Sequence, residues 1–120
     1  MNLHTIDEFN IPIFKKSYDL YKTLYSYRLA VPKQDRYTLW QKCEQTILDI
    51  VEGILLASQE PKNAKYSTLE QVSLKLNMAR VFFRLAKEVK AIDNKKYVVL
   101  QTNVDEIGRM LSGWIKSTKE

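Results

Sequence analysis

The chain has 120 residues, 45% of them hydrophobic and 28% charged, which suits a single domain over 1–120 with a modest core. Lys and Arg outnumber Asp and Glu by 19 to 14, and the resulting +5 favours an acidic partner, nucleic acid before a membrane surface, unless it serves solubility alone. One cysteine, Cys43, excludes an internal disulfide; no run approaches the ~18 apolar residues of a membrane span, and MNLHTIDEFN lacks a signal-peptide core, so a cytoplasmic setting is expected.

Residues 1–10 are polar and mixed, and read as a loose lead-in. A helix is expected from Pro12, since proline is tolerated in a first turn. Phe14, Tyr18, Tyr21 and Tyr25 then recur at three- and four-residue spacing, with Leu24 alongside and Lys15, Lys16, Lys22 and Arg28 nearby. Such a stripe either packs in a core or stacks single-stranded bases. Core is the expected reading, with the phenolic oxygens at the bundle edge. Pro32 ends this helix, because the residue before a proline is pushed out of the α region. The connection LAVPKQD is short, so the next helix returns antiparallel, with Asp35 as its N-cap.

Leu39, Trp40, Cys43, Ile47, Ile50, Val51 and Ile54 form one apolar arc running to about Ser58. Cys43 lies inside that arc with no histidine near it, and reads as a small buried hydrophobe. Gly53 costs a helix roughly 1 kcal/mol against alanine, which points to close approach of a second helix. Gln59 to Tyr66, with Pro61 and Asn63, carries turn chemistry.

The stretch Ser67–Ala91, STLEQVSLKLNMARVFFRLAKEVKA, opens with Ser67 and Glu70 at capping-box spacing. Leu69, Val72, Leu76, Ala79, Phe83 and Ala86 fall on one face of the wheel. Leu74, Met78, Val81, Leu85 and Val89 lie nearly opposite, with Phe82 between the rows. Ser73, Asn77, Arg80, Arg84 and Lys87 fill the narrow polar strip. An outer helix of a small bundle needs one apolar stripe, and this one has two. The spare stripe predicts an oligomer interface through Leu74, Met78, Val81, Phe82 and Leu85. Asp93 caps a last helix to about Lys116, with Tyr97, Leu100, Val104, Ile107, Leu111 and Ile115 inward, and Asp105, Arg109 and Lys116 on its polar face. Gly108 and Gly113 point to a tight backbone contact, and 117–120 read as a frayed tail.

Four amphipathic helices with short links predict an all-α, up-down-up-down four-helix bundle. The chemistry of an enzyme is missing. His4 is the only histidine, so the Glu-x-x-His pairs of a di-iron bundle cannot be assembled. One cysteine and one histidine do not make a zinc site. No glycine-rich phosphate cradle occurs. A non-catalytic protein without metal or cofactor is expected.

FKKSYDLYKTLY, VPKQDRYTLWQK, LNMARVFFRLA and VDEIGRMLSGWIK, in that order, resemble the accessory variability determinant of diversity-generating retroelements and its sister group encoded in 23S rRNA intervening sequences. The resemblance spans about Phe14 to Lys116. It implies a barrel-like homopentamer with a basic surface that binds reverse transcriptase and RNA or DNA during mutagenic copying. Arg80 and Arg84 match a pair of arginines on the third helix, and Arg109 the one in the closing motif; Lys87 and Lys116 extend the basic set. The sister group implies instead a structural oligomer with no reverse-transcriptase partner. Glu88, Asp105 and Glu106 lie near the arginines, so ion pairing within or between subunits is the competing role for them.

Overall fold

The computed structural model describes residues 8–119; the expectations for His4 and the rest of 1–7, and for Glu120, lie outside them. Four long helices make up almost all of it: α1 (Pro12–Tyr27), α2 (Leu39–Gln59), α3 (Lys62–Glu88) and α4 (Asn94–Thr118). The described residues contain no strand. Each helix packs against the next, and α4 closes against α1, giving the up-down-up-down order. The apolar arcs meet inside, where Leu20, Leu24, Trp40, Ile47, Ile50, Phe83, Leu100 and Ile107 are shielded from water. Cys43 joins them, and burial pushes its thiol up to about 12, so it stays an uncharged core residue.

An ion pair crosses each of the four seams. Arg28 joins α1 to α2 through Glu44, donating from Nε and Nη2 to the two carboxylate oxygens at 3.0 and 2.9 Å. Lys75 meets Asp49 across α2 and α3 at 3.1 Å, Arg80 meets Asp105 across α3 and α4 at 3.5 Å, and Lys16 meets Glu106 across α1 and α4 at 2.8 Å. Only Glu44 among these acids is fully buried, so the other three pairs are worth about 0–1 kcal/mol each.

The three glycines divide by what a methyl group would meet. At Gly53 a Cβ would lie 2.5 Å from Val72 Cγ2, so α2 and α3 touch there as the sequence predicts. At Gly108 it would lie 2.7 Å from the Arg80 guanidinium, and at Gly113 nothing stands within 4 Å. The expectation of a tight backbone contact at Gly108 and Gly113 is therefore corrected: Gly108 lies under a side chain, and Gly113 is open. Gly53→Ala is expected to lower stability by about 1–3 kcal/mol although alanine is the better helix former, because Val72 is buried and stiff at χ1. Gly113→Ala should raise it by about 1 kcal/mol. Urea denaturation at fixed protomer concentration measures both, and a stabilised Gly53→Ala would show that the seam yields.

Helix boundaries depart from expectation in several places. α3 starts at Lys62, so Ser67 and Glu70 sit inside the helix and form no capping box. Pro61 holds the N-cap with φ −66°, its carbonyl accepts from Ala64 and Lys65 N–H at 3.0 Å, and the link from α2 shrinks to Glu60 and Pro61. Asp35 lies in a separate turn, Lys33–Arg36, while α2 begins at Leu39 without a side-chain cap. The tail is helical to Thr118, whose hydroxyl donates to the Ile115 carbonyl at 2.7 Å. Asp93 caps α4 as expected, accepting from Lys96 N–H at 2.8 Å. The lead-in is ordered at Phe9, whose ring stands edge-on to Phe14 and Tyr18 with centroids 5.4 and 5.0 Å away.

Candidate nucleic-acid interface

α3 carries Arg80, Arg84 and Lys87 at successive turns along the side that faces α4, and α4 runs antiparallel beside it with Arg109 and Lys116. The five basic residues do not form one surface. Arg80 and Arg109 share a groove of about 560 Å³ between the two helices, with Ser73, Asn77, Asp105 and Ser112. Gly108 lets Arg80 lie flat in that groove: the guanidinium donates to Asn77 Oδ1 at 2.9 Å and stands 3.5 Å from Asp105. Arg84 projects further out and pairs with Glu88 at 3.0 Å, both side chains more than half exposed. Arg109 is exposed three residues on from Glu106, whose carboxyl is held below the ordinary carboxylate range mainly by its bond to Lys16. Lys87 stands 4.7 Å from the Tyr97 ring centroid and lines a different cavity, at the end of the bundle. Lys116 is exposed near the opposite end of α4.

Of the expected oligomer residues, Leu74, Val81 and Leu85 fall on one outward face. The row Leu69, Val72, Leu76, Ala79, Phe83 and Ala86 is the buried one, so the second row is the surplus. Leu74 is 55% exposed, Val81 63% and Leu85 42%, with Val89 continuing the stripe at 50%. These four apolar side chains stand partly in water along one helix face. Met78 is partly buried within the stripe. Phe82 is partly buried and packs against the protomer's own core.

The aromatic stripe of α1 is corrected as well. Only Phe14 of the four is buried; the core face of α1 is Ile13, Phe14, Ser17, Leu20 and Leu24. Tyr18, Tyr21 and Tyr25 line an open groove of about 520 Å³ with Lys22, Leu48 and Val51. Sequence reasoning also missed Lys90 and Lys96, which join Lys87 around the end cavity. A count of charge from Arg84 to Lys96 would have found them: five basic residues against two acidic.

Residues 12–118 match a family described as bAvd-like, which covers all four helices and both basic clusters. The chain belongs to the bAvd-like family. The match bears out the resemblance drawn from the four motifs, and it carries the coarse functional reading, an Avd-type accessory protein. Among curated proteins, none matches. For this bAvd-like chain, no three Asp, Glu, His or Cys side chains among the described residues come together as a metal site, and no described helix is long and apolar enough to cross a membrane.

Proposed function

We propose that this protein is the accessory factor of a diversity-generating retroelement, a homopentamer that binds reverse transcriptase and template RNA or DNA and does no chemistry itself. Membership of the bAvd-like family over 12–118 carries the reading. The outward stripe of α3 supplies a surface suited to self-association, and Arg80, Arg84, Lys87, Arg109 and Lys116 supply the basic side chains for phosphate. Arg84 is the best placed of these, because its partner Glu88 is also more than half exposed and water already competes for the pair.

One observation favours the second reading, a structural oligomer of the intervening-sequence kind. Arg80 makes the α3–α4 member of a set of ion pairs that crosses all four seams, which is what a purely structural arginine would do. The two readings differ in what Arg80→Ala with Arg84→Ala does. As a nucleic-acid surface, the pair contributes two phosphate contacts, and the double variant should weaken binding of a single-stranded RNA at least about fivefold near 0.1 M salt while lowering its salt slope. Stability should fall by no more than about 1 kcal/mol per lost pair. RNA binding equal to wild type across a salt series removes the strip from the nucleic-acid surface. Co-purification with a reverse transcriptase encoded beside the gene tests the other partner; a gene lying within an rRNA insertion would favour the structural reading.

A further inference from the structure

The link between α3 and α4 breaks two local rules within seven residues. α3 ends with the paired bonds of a left-handed cap: Lys90 N–H donates to the Lys87 carbonyl at 3.0 Å and Ala91 N–H to the Ala86 carbonyl at 2.8 Å. The residue that turns left-handed in this motif is usually glycine, because a Cβ there crowds the backbone. Here it is Lys90, at φ 65°, the one described non-glycine residue with positive φ. Five residues on, α4 opens with Lys95 and Lys96 in its first turn, where the positive end of the helix dipole disfavours cations. A fold optimised only for stability would place neither choice there. Local rules broken together mark sites kept for another purpose.

Lys90 and Lys96 both line one cavity. It measures about 530 Å³ and lies between this link and Ala30 and Pro32 of the α1–α2 connection, with Lys87, Lys90 and Lys96 in its lining. Lys87 and Lys96 rest on aromatic rings, 4.7 Å from the Tyr97 centroid and 5.5 Å from that of Tyr27. Such contacts fix the side chain while leaving ammonium hydrogens to bond elsewhere. Lys90 makes no ion pair among the described residues. Asp93 also faces the cavity, but one of its oxygens accepts from Lys96 N–H at 2.8 Å and the other stands 3.6 Å from Lys96 Nζ. The lining is thus three cations against one carboxylate already occupied. The stretch Arg84–Lys96 carries five basic residues against two acidic, and without it the chain is nearly balanced.

We propose that this cavity is a phosphate-binding site, and that Lys90 occupies its left-handed position to contact phosphate together with Lys87 and Lys96. No arginine lines it, so the site rests on converging ammonium point charges, which suit tetrahedral phosphate oxygens. The phosphate comes from a polynucleotide backbone or from a free anion; the first source rests on the nucleic-acid reading above, and the site itself does not.

Lys90→Gly separates the roles, since glycine relieves the backbone and removes the charge. Its Tm should be unchanged or higher by up to about 4 °C. Single-stranded RNA should bind about three- to tenfold more weakly near 0.1 M salt, with a slope shallower by about 0.7. Lys90→Arg should bind like wild type. Inorganic phosphate, replacing chloride at matched ionic strength, should shift the amide resonances of residues 87–96 in wild type and not in Lys90→Gly if free anions enter; shifts with RNA alone assign the backbone as the source. Lys90→Gly matching wild type toward both probes overturns the site while leaving the retroelement reading intact. A wild type that ignores RNA but keeps Lys90-dependent phosphate binding does the reverse. A fall in Tm for Lys90→Gly would show that the lysine serves the fold, and displacement of RNA by polyglutamate as readily as by a polyphosphate would overturn the phosphate assignment.

Discussion

Leu85→Asp is expected to leave a folded, helical monomer where the wild type assembles. In the protomer Leu85 is 42% exposed, on the outward stripe with Leu74, Val81 and Val89, so a carboxylate there stays in water and costs the bundle little. Between subunits the same carboxylate would be buried without a partner, at several kcal/mol for every copy of the interface. A ring multiplies that cost by its number of interfaces, and dissociation should be complete at micromolar concentration. Sedimentation velocity should show the mass fall to one protomer, with the helical circular dichroism and a cooperative urea transition retained. The position next but one along the helix behaves oppositely. Phe83 is fully buried, and an aspartate there should unfold the protomer outright. An unchanged mass for Leu85→Asp would remove the stripe as an interface; a wild type that sediments as a monomer would end the case for assembly.

That distinction between two apolar rows was half legible in the sequence. Periodicity separated them, because both rows keep three- and four-residue spacing over the same helix. It did not say which row faces inward, since both are apolar enough. Side-chain size decides it. The inner row includes the small, fully buried Ala79 and Ala86, whereas the outer row is large throughout. At the start of α3 two valid signals compete: Pro61 at the head of a first turn, and Ser67 with Glu70 as a box. The earlier one wins, because Lys65 and Tyr66 find partners on α4, the first 5.7 Å from the Trp114 ring centroid and the second beneath Lys119 at 5.3 Å. α3 ends at Glu88, short of Ala91, and because the left-handed residue is not a glycine nothing in the sequence announces the cap. The basic strip was legible as a row and illegible as a surface. Sequence sets Arg80 and Arg84 one turn apart; only the opposing Gly108 explains why one lies down in a groove and the other stands in water.

Trp40→Ala is expected to give the largest loss of stability of any single truncation in the bundle. Trp40 is the largest fully buried side chain, set where the chain leaves the turn at Lys33–Arg36 and enters α2. Its burial does two jobs. The ring fills the core where α1 and α2 meet, and its loss leaves a cavity that typically costs about 3–5 kcal/mol. The indole Nε1 also donates to the Leu24 carbonyl at 3.3 Å. That carbonyl belongs to the last turn of α1, where four such groups lack helical partners, and the chain tightens there so that Arg28 N–H goes to Tyr25 instead. Removing the indole therefore leaves a buried acceptor as well as a hole, adding about 1–3 kcal/mol. Trp40→Phe tests the parts separately, since it keeps most of the ring and loses the donor. Urea midpoints at one fixed protomer concentration should fall in the order wild type, Trp40→Phe, Trp40→Ala, and amide exchange in the last turn of α1 should quicken in both variants. If Trp40→Phe matches wild type in midpoint and in exchange, the bond to Leu24 contributes nothing and the whole cost is packing.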